Sequence, residues 1–422
     1  MNAASTIKWP ESVRDKDGKK TPVHRSQHNI RTFLDACGIE LRRNAFSLRD
    51  EITRDGHTRT LDDAELRRLR LEADARGLRP KTEFFNDVIF DLARQNAYHP
   101  VLAYIEGLTW DGRKRLDQVA SYYAGAENTG LNRAMMRATL IAAVRRIRHP
   151  GSKFDNLLVL EGKQGAGKSS FVKALAGEPW FSDSLHIGTD PKETIEQTSG
   201  KWICELAELA GLGKKDRERV KAFLSRSVDS ARLSYQRIAS DVPRQFVLVA
   251  TTNTSEYLSD TTGNRRFWPM RVGIVNLAAV RRDRDQIWAE AAHYEAKGES
   301  TQLARELWSD AEGAQNGRMI TDPWLDQLEP ALAGTLGAVA TADLWKFLEI
   351  KAAHQDPYSS QRLTAVMAQL GFEKKKKRKD GAPLSCYVSK GAGASHSAWI
   401  NLATRGMERS EHMERTWNGA TA

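Results

Sequence analysis

Cysteine is scarce in this chain. Its three cysteines, Cys37, Cys204 and Cys386, are spread over 422 residues and form no Cys-x-x-Cys pair or cluster with paired histidines. This spacing excludes a disulfide framework and a zinc site, and it favours a reducing compartment. Cofactor chemistry based on a cysteine-bound metal is therefore not expected.

Long apolar runs are also missing. No run approaches the roughly 20 residues that a membrane-spanning helix needs. The first 20 residues are polar and contain no apolar core of a secretory signal. We therefore expect a cytoplasmic protein, and the sequence contains no internal repeats.

Positive charge is in excess. The chain carries 64 Lys and Arg against 54 Asp and Glu, a formal net charge of +10. Such an excess suits a polyanionic partner, of which nucleic acid is the commonest for a cytosolic protein. A generally basic proteome is the alternative, and charge alone does not decide between them.

The most specific motif is a phosphate-binding loop. Residues 162–169 fit G-x-x-x-x-G-K-[ST], after an apolar run at 157–160 and before a helical pattern that stops at Gly177. A strand that feeds such a loop into a helix binds nucleoside triphosphate phosphates through loop amides, with the lysine on the β/γ oxygens and the hydroxyl on Mg²⁺. The predicted ATP- and Mg²⁺-binding residues are Gly162, Lys163, Gln164, Gly165, Ala166, Gly167, Lys168, Ser169 and Ser170.

Composition and periodicity divide the chain into segments. We expect a flexible lead-in over 1–30, a helical domain over 31–150, an ATPase domain over 151–318, a connector over 319–340, a small domain over 341–405 and a flexible tail over 406–422. Alternating strands and helices after residue 151 predict a parallel, helix-covered sheet. A basic amphipathic helix over 131–148 ends the helical domain, and its arginines are expected to form a solvated face rather than to enter a DNA groove.

Two further strands end in polar residues. Glu205 ends the apolar strand over 201–205, and Glu208 lies three residues further on. A carboxylate here could hold Mg²⁺ through water, and another could orient the attacking water. Either glutamate could take either role. Asn253 follows the apolar strand 245–252 and could sense the γ-phosphate. Arg265 and Arg266 come after a Gly-Asn turn, in the manner of an arginine finger that reaches a neighbouring subunit, or they form a surface ion pair.

Two basic segments are candidates for contact with DNA. The loop after residue 229 contains Arg232, Tyr235 and Arg237, which could grip phosphates and stack bases, although a structural hairpin explains each of them equally well. The small C-terminal domain has two helices and a hairpin, the pattern of a winged helix. Its basic run could contact phosphate or could be a solvated turn, and it consists of Lys374, Lys375, Lys376, Lys377, Arg378 and Lys379.

Four blocks together resemble the virulence-associated protein E family of phages, prophages and genomic islands, and more distantly superfamily III and poxvirus-type primase-helicases. The blocks are YIEGLTWDGRKRLD, FDNLLVLEGKQGAGKSS, KWICELAELAG and TTNTSEYLSDTTGNRRFWPM, with RDQIWAEAAHYEAKGE after them. They occur in the family's order over roughly residues 95–300.

The resemblance implies an α/β fold: a P-loop, AAA+-like ATPase core with a parallel sheet, between a helical domain and a small winged-helix-like domain. It implies a ring of identical subunits, a hexamer, that moves along single-stranded or forked DNA in a bacterial host. Residues 1–94 lack a paired-carboxylate metal site, so priming would need a separate primase. The acidic strand lacks the family's usual Asp-Asp or Asp-Glu pair, which leaves the roles of Glu205 and Glu208 open.

The sequence therefore predicts an ATP-dependent DNA helicase or translocase in replication of a mobile element. An ATP-switched DNA-binding initiator or regulator without unwinding activity is the main alternative. A phage-interference factor that uses the same motor is the third.

Overall fold

The computed structural model describes residues 7–14, 16–188, 190–211, 213–232, 239–258, 263–320, 322–332, 334–379, 382–390 and 398–402. The chain divides into two compact units, Met1–Met319 and Ile320–Ala422. Among the described helices, none combines the length and the apolar character needed to cross a bilayer.

The N-terminal part of the first unit is mixed α/β. Its elements are β1 (Ser12–Arg14), β2 (Lys20–Pro22), α1 (Gln27–Ala36), β3 (Ile39–Asn44), β4 (Arg49–Arg54), β5 (His57–Thr60), α2 (Asp63–Ala75), α3 (Thr82–Gln95) and β6 (Ala97–Tyr98). A four-stranded sheet in the order β5-β4-β3-β6 lies beside α1 and α3. The expectation of a helical domain over 31–150 is thus corrected: its first half contains a sheet.

The polar character of its strands explains why this sheet could not be predicted from the sequence. In β4 only Ile52 is buried, and all four residues of β5 are exposed. The strands therefore lack the regular alternation of apolar and polar residues by which a half-buried strand is recognised. Cross-strand pairs such as Arg43 with Asp50, at 3.0 Å, take the place of apolar contacts on the outer side.

The expected lead-in is also ordered where the structure describes it. Strands β1 and β2 pair as an antiparallel hairpin. The buried Asn29 side chain accepts a hydrogen bond from the Glu11 amide at 3.0 Å and donates to the carbonyls of Glu11 and Val23 at 2.7 and 2.9 Å. One buried amide thus fixes both arms of the hairpin to α1, so residues 7–14 and 16–30 are not a flexible segment.

The remainder of the first unit contains a five-stranded sheet. Its elements are α4 (Pro100–Glu106), α5 (Gly130–Arg148), β7 (Leu157–Glu161), α6 (Lys168–Ala176), β8 (Phe181–Ser182), α7 (Pro191–Thr198), β9 (Ile203–Leu206), α8 (Lys214–Leu224), β10 (Val228–Ala231), β11 (Ser240–Pro243), β12 (Val247–Thr252), β13 (Phe267–Arg271), α9 (Leu277–Ala296) and α10 (Trp308–Asn316). The sheet has the order β13-β7-β12-β9-β8, and every pairing in it is parallel. The predicted parallel α/β core is confirmed.

Both faces of this sheet are buried, which explains its continuous apolar strands. Leu158 and Leu160 of β7 pack in one apolar cluster with α5, α6 and α9. Leu157 and Val159 pack in a second cluster with α8 and the segment after β12. Because alternate residues of a strand point to opposite faces, one strand supplies both clusters.

The arginines of α5 do not form a solvated face, contrary to the expectation. Arg137 pairs with Glu299 and Asp117, and Arg148 pairs with Glu106 and Glu295. Arg146 is only 4% exposed and donates to the carbonyls of Ser152, Phe246 and Phe154 at 3.0, 2.6 and 2.9 Å. The helix lies between the sheet and α9, so these side chains bind protein groups.

The second unit contains α11 (Pro323–Leu332), β14 (Ala338–Ala340), α12 (Thr341–Phe347), α13 (Pro357–Gln369), β15 (Phe372–Lys379) and β16 (Ala382–Ser389). Its antiparallel sheet has the order β14-β16-β15. Trp324 and Leu328 of α11 are buried in the same apolar cluster as α12, α13 and the sheet. Helix α11 and strand β14, which lie within the expected connector at 319–340, therefore contribute side chains to this unit's core.

Replacing Arg146 with alanine should destabilise the first unit, because the buried carbonyls of Phe246 and Phe154 and the half-buried carbonyl of Ser152 would lose their donor. Each unsatisfied buried group costs about 1–3 kcal/mol. We expect the melting temperature of the first unit, measured by circular dichroism, to fall by about 5 °C or more. Arg133→Ala on the same helix is the control, since Arg133 contacts only the neighbouring Asn128. Equal melting temperatures for the two variants would contradict this account.

Candidate nucleotide site

The glycine-rich loop joins β7 to α6 as the sequence predicts. Gly165 and Gly167 have φ values of +80° and +89°, a backbone conformation that side chains other than glycine rarely adopt. A Cβ at Gly167 would also lie 3.2 Å from Cβ of Val275. Helix α6 begins at Lys168, so its free N–H groups face the loop.

Lys168 is the centre of the loop. Its ammonium donates to the carbonyls of Gly162 and Lys163 at 2.7 and 3.0 Å and to Oδ1 of Asn253 at 2.8 Å. Burial lowers the pKa of Lys168, and the nearby Glu205 carboxylate opposes that shift. The structure thus brings together Lys168, predicted in the loop after one strand, and Asn253, predicted at the end of another.

Glu205 lies on the other side of the loop. Its Oε1 accepts hydrogen bonds from the Ser169 hydroxyl at 2.7 Å and from the Thr251 hydroxyl at 2.6 Å. Its Oε2 is buried and has no partner among the described residues. A buried carboxylate oxygen without a partner, beside a hydroxyl, fits the ligand chemistry of Mg²⁺, which prefers oxygen. Ser169 and Glu205 are the residues that would hold this ion.

Glu208 differs from Glu205 in its surroundings. It is exposed, and its φ of +54° is uncommon for a residue other than glycine. Glu205, in contrast, is 1% exposed and lies within β9. The two carboxylates are therefore separated by environment, although the sequence did not distinguish them.

A cavity of about 620 Å³ opens above the carboxyl end of β7. It is lined by the loop and by segments that follow β12 and β13: Glu161, Gly162, Lys163, Gln164, Gly165, Ala166, Asn253, Thr254, Ser255, Arg271, Val272, Gly273, Ile274 and Arg318. Four of the predicted loop residues, Gly167, Lys168, Ser169 and Ser170, are not part of this lining, and Ser170 is exposed on the first turn of α6. The volume of this cavity is within the range of small-molecule sites.

A buried cluster that the sequence did not reveal lies in the wall of this cavity. Glu161, the last residue of β7, accepts from the Tyr257 hydroxyl at 2.6 Å and from Nε and Nη2 of Arg318 at 2.9 and 2.8 Å. Burial and the Glu161 carboxylate raise the pKa of Tyr257, so the hydroxyl stays protonated and donates. This cluster joins the loop to the segment after Asn253. Because the partners are far apart in sequence, no local pattern signals it.

Arg271 is a second residue that the sequence left unnoticed. It ends β13 opposite Glu161, lines the cavity and is exposed. Within the part of the chain that the structure describes, no carboxylate pairs with it. A cation in this position adds positive potential to a site that already presents loop amides.

The two finger candidates lie elsewhere. Arg265 and Arg266 precede β13, whose Phe267 pairs with Leu157 at the start of β7. From Arg266 to Arg271 the strand advances about 16 Å, so both arginines lie at the opposite edge of the sheet from their own loop. Arg266 is partly buried and lies 3.7 Å from Asp155, whereas Arg265 is exposed.

The candidate DNA-binding residues are only partly described. Arg232 is exposed and follows β10, while Tyr235 and Arg237 lie outside the described residues. At the base of the β10–β11 hairpin, the buried Asp229 and Arg244 form a bidentate ion pair at 2.6 and 2.8 Å. The hairpin that carries this loop therefore has a rigid base.

The basic run 374–379 is a strand and not a turn. It forms most of β15, which lies at the edge of its sheet. Lysines on an edge strand also prevent edge-to-edge aggregation, so their charge has an explanation apart from DNA.

Among the described residues, no group of three or more His, Cys, Asp or Glu could hold a metal ion.

Arg318→Ala should destabilise the first unit, since the Glu161 carboxylate would stay buried without the guanidinium group that pairs with it. Breaking a buried ion pair from one side costs about 3–5 kcal/mol. The double variant Glu161→Gln/Arg318→Ala should recover part of that loss in urea unfolding, and the exposed Arg281→Ala should have little effect. If the single and double variants were equally stable, the two side chains would not be coupled.

Comparisons with known proteins agree with this architecture over the central region. The family model described as virulence-associated protein E-like domain matches residues 105–320, just over half of the chain. No curated protein matches the chain. Solved structures titled as apo forms of the NrS-1 C terminal region are similar at 12%, 9% and 11% identity, with TM-scores of 0.47, 0.47 and 0.49. Each alignment covers 85% of this chain and 98% of the other.

These structural likenesses are too low to support a conclusion, but the family match covers the loop, the acidic strand, Asn253 and the arginine pair. The chain belongs to the virulence-associated protein E-like family.

Proposed function

We propose that this chain is an ATP-dependent DNA helicase or translocase that serves replication of a phage or another mobile genetic element. One observation carries the proposal: Lys168 and Ser169 at the start of α6, Glu205 of β9 and Asn253 after β12 converge on a single site. Such convergence is the arrangement that phosphoryl transfer requires, because catalysis there consists mostly of positioning and charge stabilisation. The family match is consistent with this activity.

Each residue has a distinct role in the proposed site. The amides of 163–169 and the Lys168 ammonium bind the β- and γ-phosphates of ATP, and Asn253 orients the γ-phosphate end. Ser169 and Glu205 hold Mg²⁺, which supplies charge neutralisation when bound. Since Glu205 is buried against Ser169, the exposed Glu208 is the better candidate to orient the attacking water.

A second copy of the chain completes the site in this proposal. Arg265 and Arg266 cannot reach their own loop, which lies at the other edge of the sheet. A neighbouring copy that presents this edge to the cavity would place an arginine beside the γ-phosphate. Arg265 is the favoured finger because it is exposed, whereas Arg266 packs against Gly263 and Asp155. Repetition of this contact generates a ring, which we propose to be a hexamer.

DNA contact is assigned to two basic surfaces. Arg232, which follows β10, would grip the strand, and Tyr235 and Arg237, which lie outside the described residues, are proposed to act with it. The second unit has the element order α-β-α-α-β-β, which we interpret as a winged-helix-like domain whose strand β15 contacts phosphates. A separate primase would supply primers, and the cytoplasm of the bacterial host is the proposed location.

Lys168→Ala should lower ATP hydrolysis at least about a hundredfold, because the negative charge on the β- and γ-phosphates of ATP would lose the cation that stabilises it. Glu205→Gln should retain ATP binding and lose hydrolysis, since its size is kept and its charge is not. Release of phosphate and binding of a fluorescent ATP analogue measure the two steps. Lys173→Ala on the same helix is the control, as Lys173 pairs only with the exposed Glu178 at 2.7 Å. Wild-type hydrolysis by Lys168→Ala would refute the ATP site.

Unwinding separates the proposed motor from the alternatives. We expect single-stranded DNA to stimulate hydrolysis and a forked duplex to be displaced in the presence of ATP and Mg²⁺. Stimulation should weaken steeply with salt, because binding releases counterions from DNA. DNA-stimulated hydrolysis without displacement would favour an ATP-switched initiator or regulator. Displacement with no effect on replication of the element would favour an interference factor.

A further inference from the structure

A second cavity, of about 860 Å³, lies at the edge of the sheet that carries the arginine pair. Its lining includes Asp155, Asn156, Asn264, Arg265, Arg266 and Trp308. Trp308, at the start of α10, is 57% exposed. Exposed tryptophan in a concave wall is typical of a binding surface, because it offers a large, rigid apolar area.

The wall of this cavity contains buried polar atoms without hydrogen bonds. Asn156 Oδ1 and Asn264 Oδ1 form no hydrogen bond with a described residue, and Arg266 Nε, which also forms none, lies 3.7 Å from Asp155 Oδ2. Buried polar groups are nearly always satisfied in folded proteins, so their concentration here indicates a missing occupant. The two amide oxygens need N–H donors and Arg266 needs an acceptor. A peptide segment supplies both.

A matching segment lies at the opposite edge of the same sheet. Ile274, which follows β13 and lines the nucleotide cavity, is 91% exposed. Its neighbours hold it in place: Gly273 N–H donates to the carbonyls of Ala124 and Gly125, and Val275 N–H donates to that of Ala166. The turn is therefore anchored on both sides while its apolar side chain projects outward.

Close packing fixes this turn further. A Cβ at Gly125, whose φ is +66°, would lie 2.9 Å from the Ile274 carbonyl oxygen. The backbone N–H and C=O of Ile274 form no backbone hydrogen bond with a described residue. The turn thus presents one apolar side chain, one donor and one acceptor, which are the groups that the second cavity lacks.

We propose that Ile274 of one copy inserts into the arginine-edge cavity of the next copy and packs against Trp308. This inference rests on the proposed function, because an Arg265 that enters the neighbour's nucleotide cavity brings the mouths of the two cavities face to face. Ile274 lines the first cavity and Arg265 lines the second. The turn that contacts the nucleotide loop would therefore also form the contact between subunits. Nucleotide binding in one copy would then change the contact with the neighbouring copy.

The contact is head-to-tail, since its two halves are different surfaces of the same chain. Such an interface repeats and either closes into a ring or continues as a filament. Burial of an isoleucine side chain removes apolar surface from water and so stabilises an interface. Its loss should therefore raise the dissociation constant for assembly at least about tenfold.

Site-directed cross-linking tests the contact. In a Cys37→Ser background, chains with Ile274→Cys are mixed with chains with Trp308→Cys and treated with a short bis-maleimide, with and without a non-hydrolysable ATP analogue and Mg²⁺. The other cysteines, Cys204 and Cys386, are buried. We expect a covalent dimer only in the mixture. Leu71→Cys mixed with Trp308→Cys is the control, because Leu71 is 62% exposed on a different surface.

Sedimentation of Trp308→Ala provides the second measurement. We expect weaker assembly, with ATP-analogue binding by the single chain unchanged, because Trp308 lies away from the nucleotide cavity. Cross-linking without any nucleotide binding would support the interface and refute the ATPase proposal. Nucleotide hydrolysis with no cross-link and with wild-type assembly of Trp308→Ala would overturn the inference and leave the ATPase standing. A chain that remains monomeric at all concentrations would also overturn it.

Discussion

The parallel pairing of β7 with β12 and β13 is the constraint on which the rest of the structure depends. In this register Glu161 lies opposite Thr252 on one side and Arg271 on the other. The polar residues that follow each strand therefore meet at one edge, and those that precede β13 are held at the other edge. An antiparallel β13 would have placed Arg265 and Arg266 beside their own loop.

Burial of charge gives this edge its rigidity. Glu161 and Glu205 are 4% and 1% exposed, and each is held by hydroxyl groups or by an arginine from a distant part of the chain. A buried carboxylate is tolerable only where donors surround it. Each therefore fixes its neighbours: Glu161 fixes the start of the loop against Arg318, and Glu205 fixes Ser169 against β12. Oε2 of Glu205 is left without a hydrogen-bond partner among the described residues.

Sequence patterns were sufficient for the site where chemistry is local. The loop, its flanking strand and helix, and the polar ends of β9 and β12 follow from apolar runs and glycine positions within short windows. The pairing of Glu161 with Arg318 joins residues 157 positions apart, and no window contains both.

The sheet at 39–60 and the ion pairs of the α5 arginines were not predicted from the sequence, for a related reason. The strands β4 and β5 are mostly polar, and the arginines acquire their partners only when the helix packs against α9. The edge position of the 374–379 run likewise depends on strand order, which composition does not contain.

Two copies of the chain are proposed to share one catalytic site. Mixing inactive Lys168→Ala chains with inactive Arg265→Ala/Arg266→Ala chains tests it directly, because some junctions in a mixed assembly combine an intact loop with intact arginines. The account predicts that ATP hydrolysis returns on mixing, to roughly a quarter of the wild-type rate at equal amounts if subunits mix at random and act independently. Hydrolysis that stays at the level of the separate variants, while mixed assemblies form, would contradict the account.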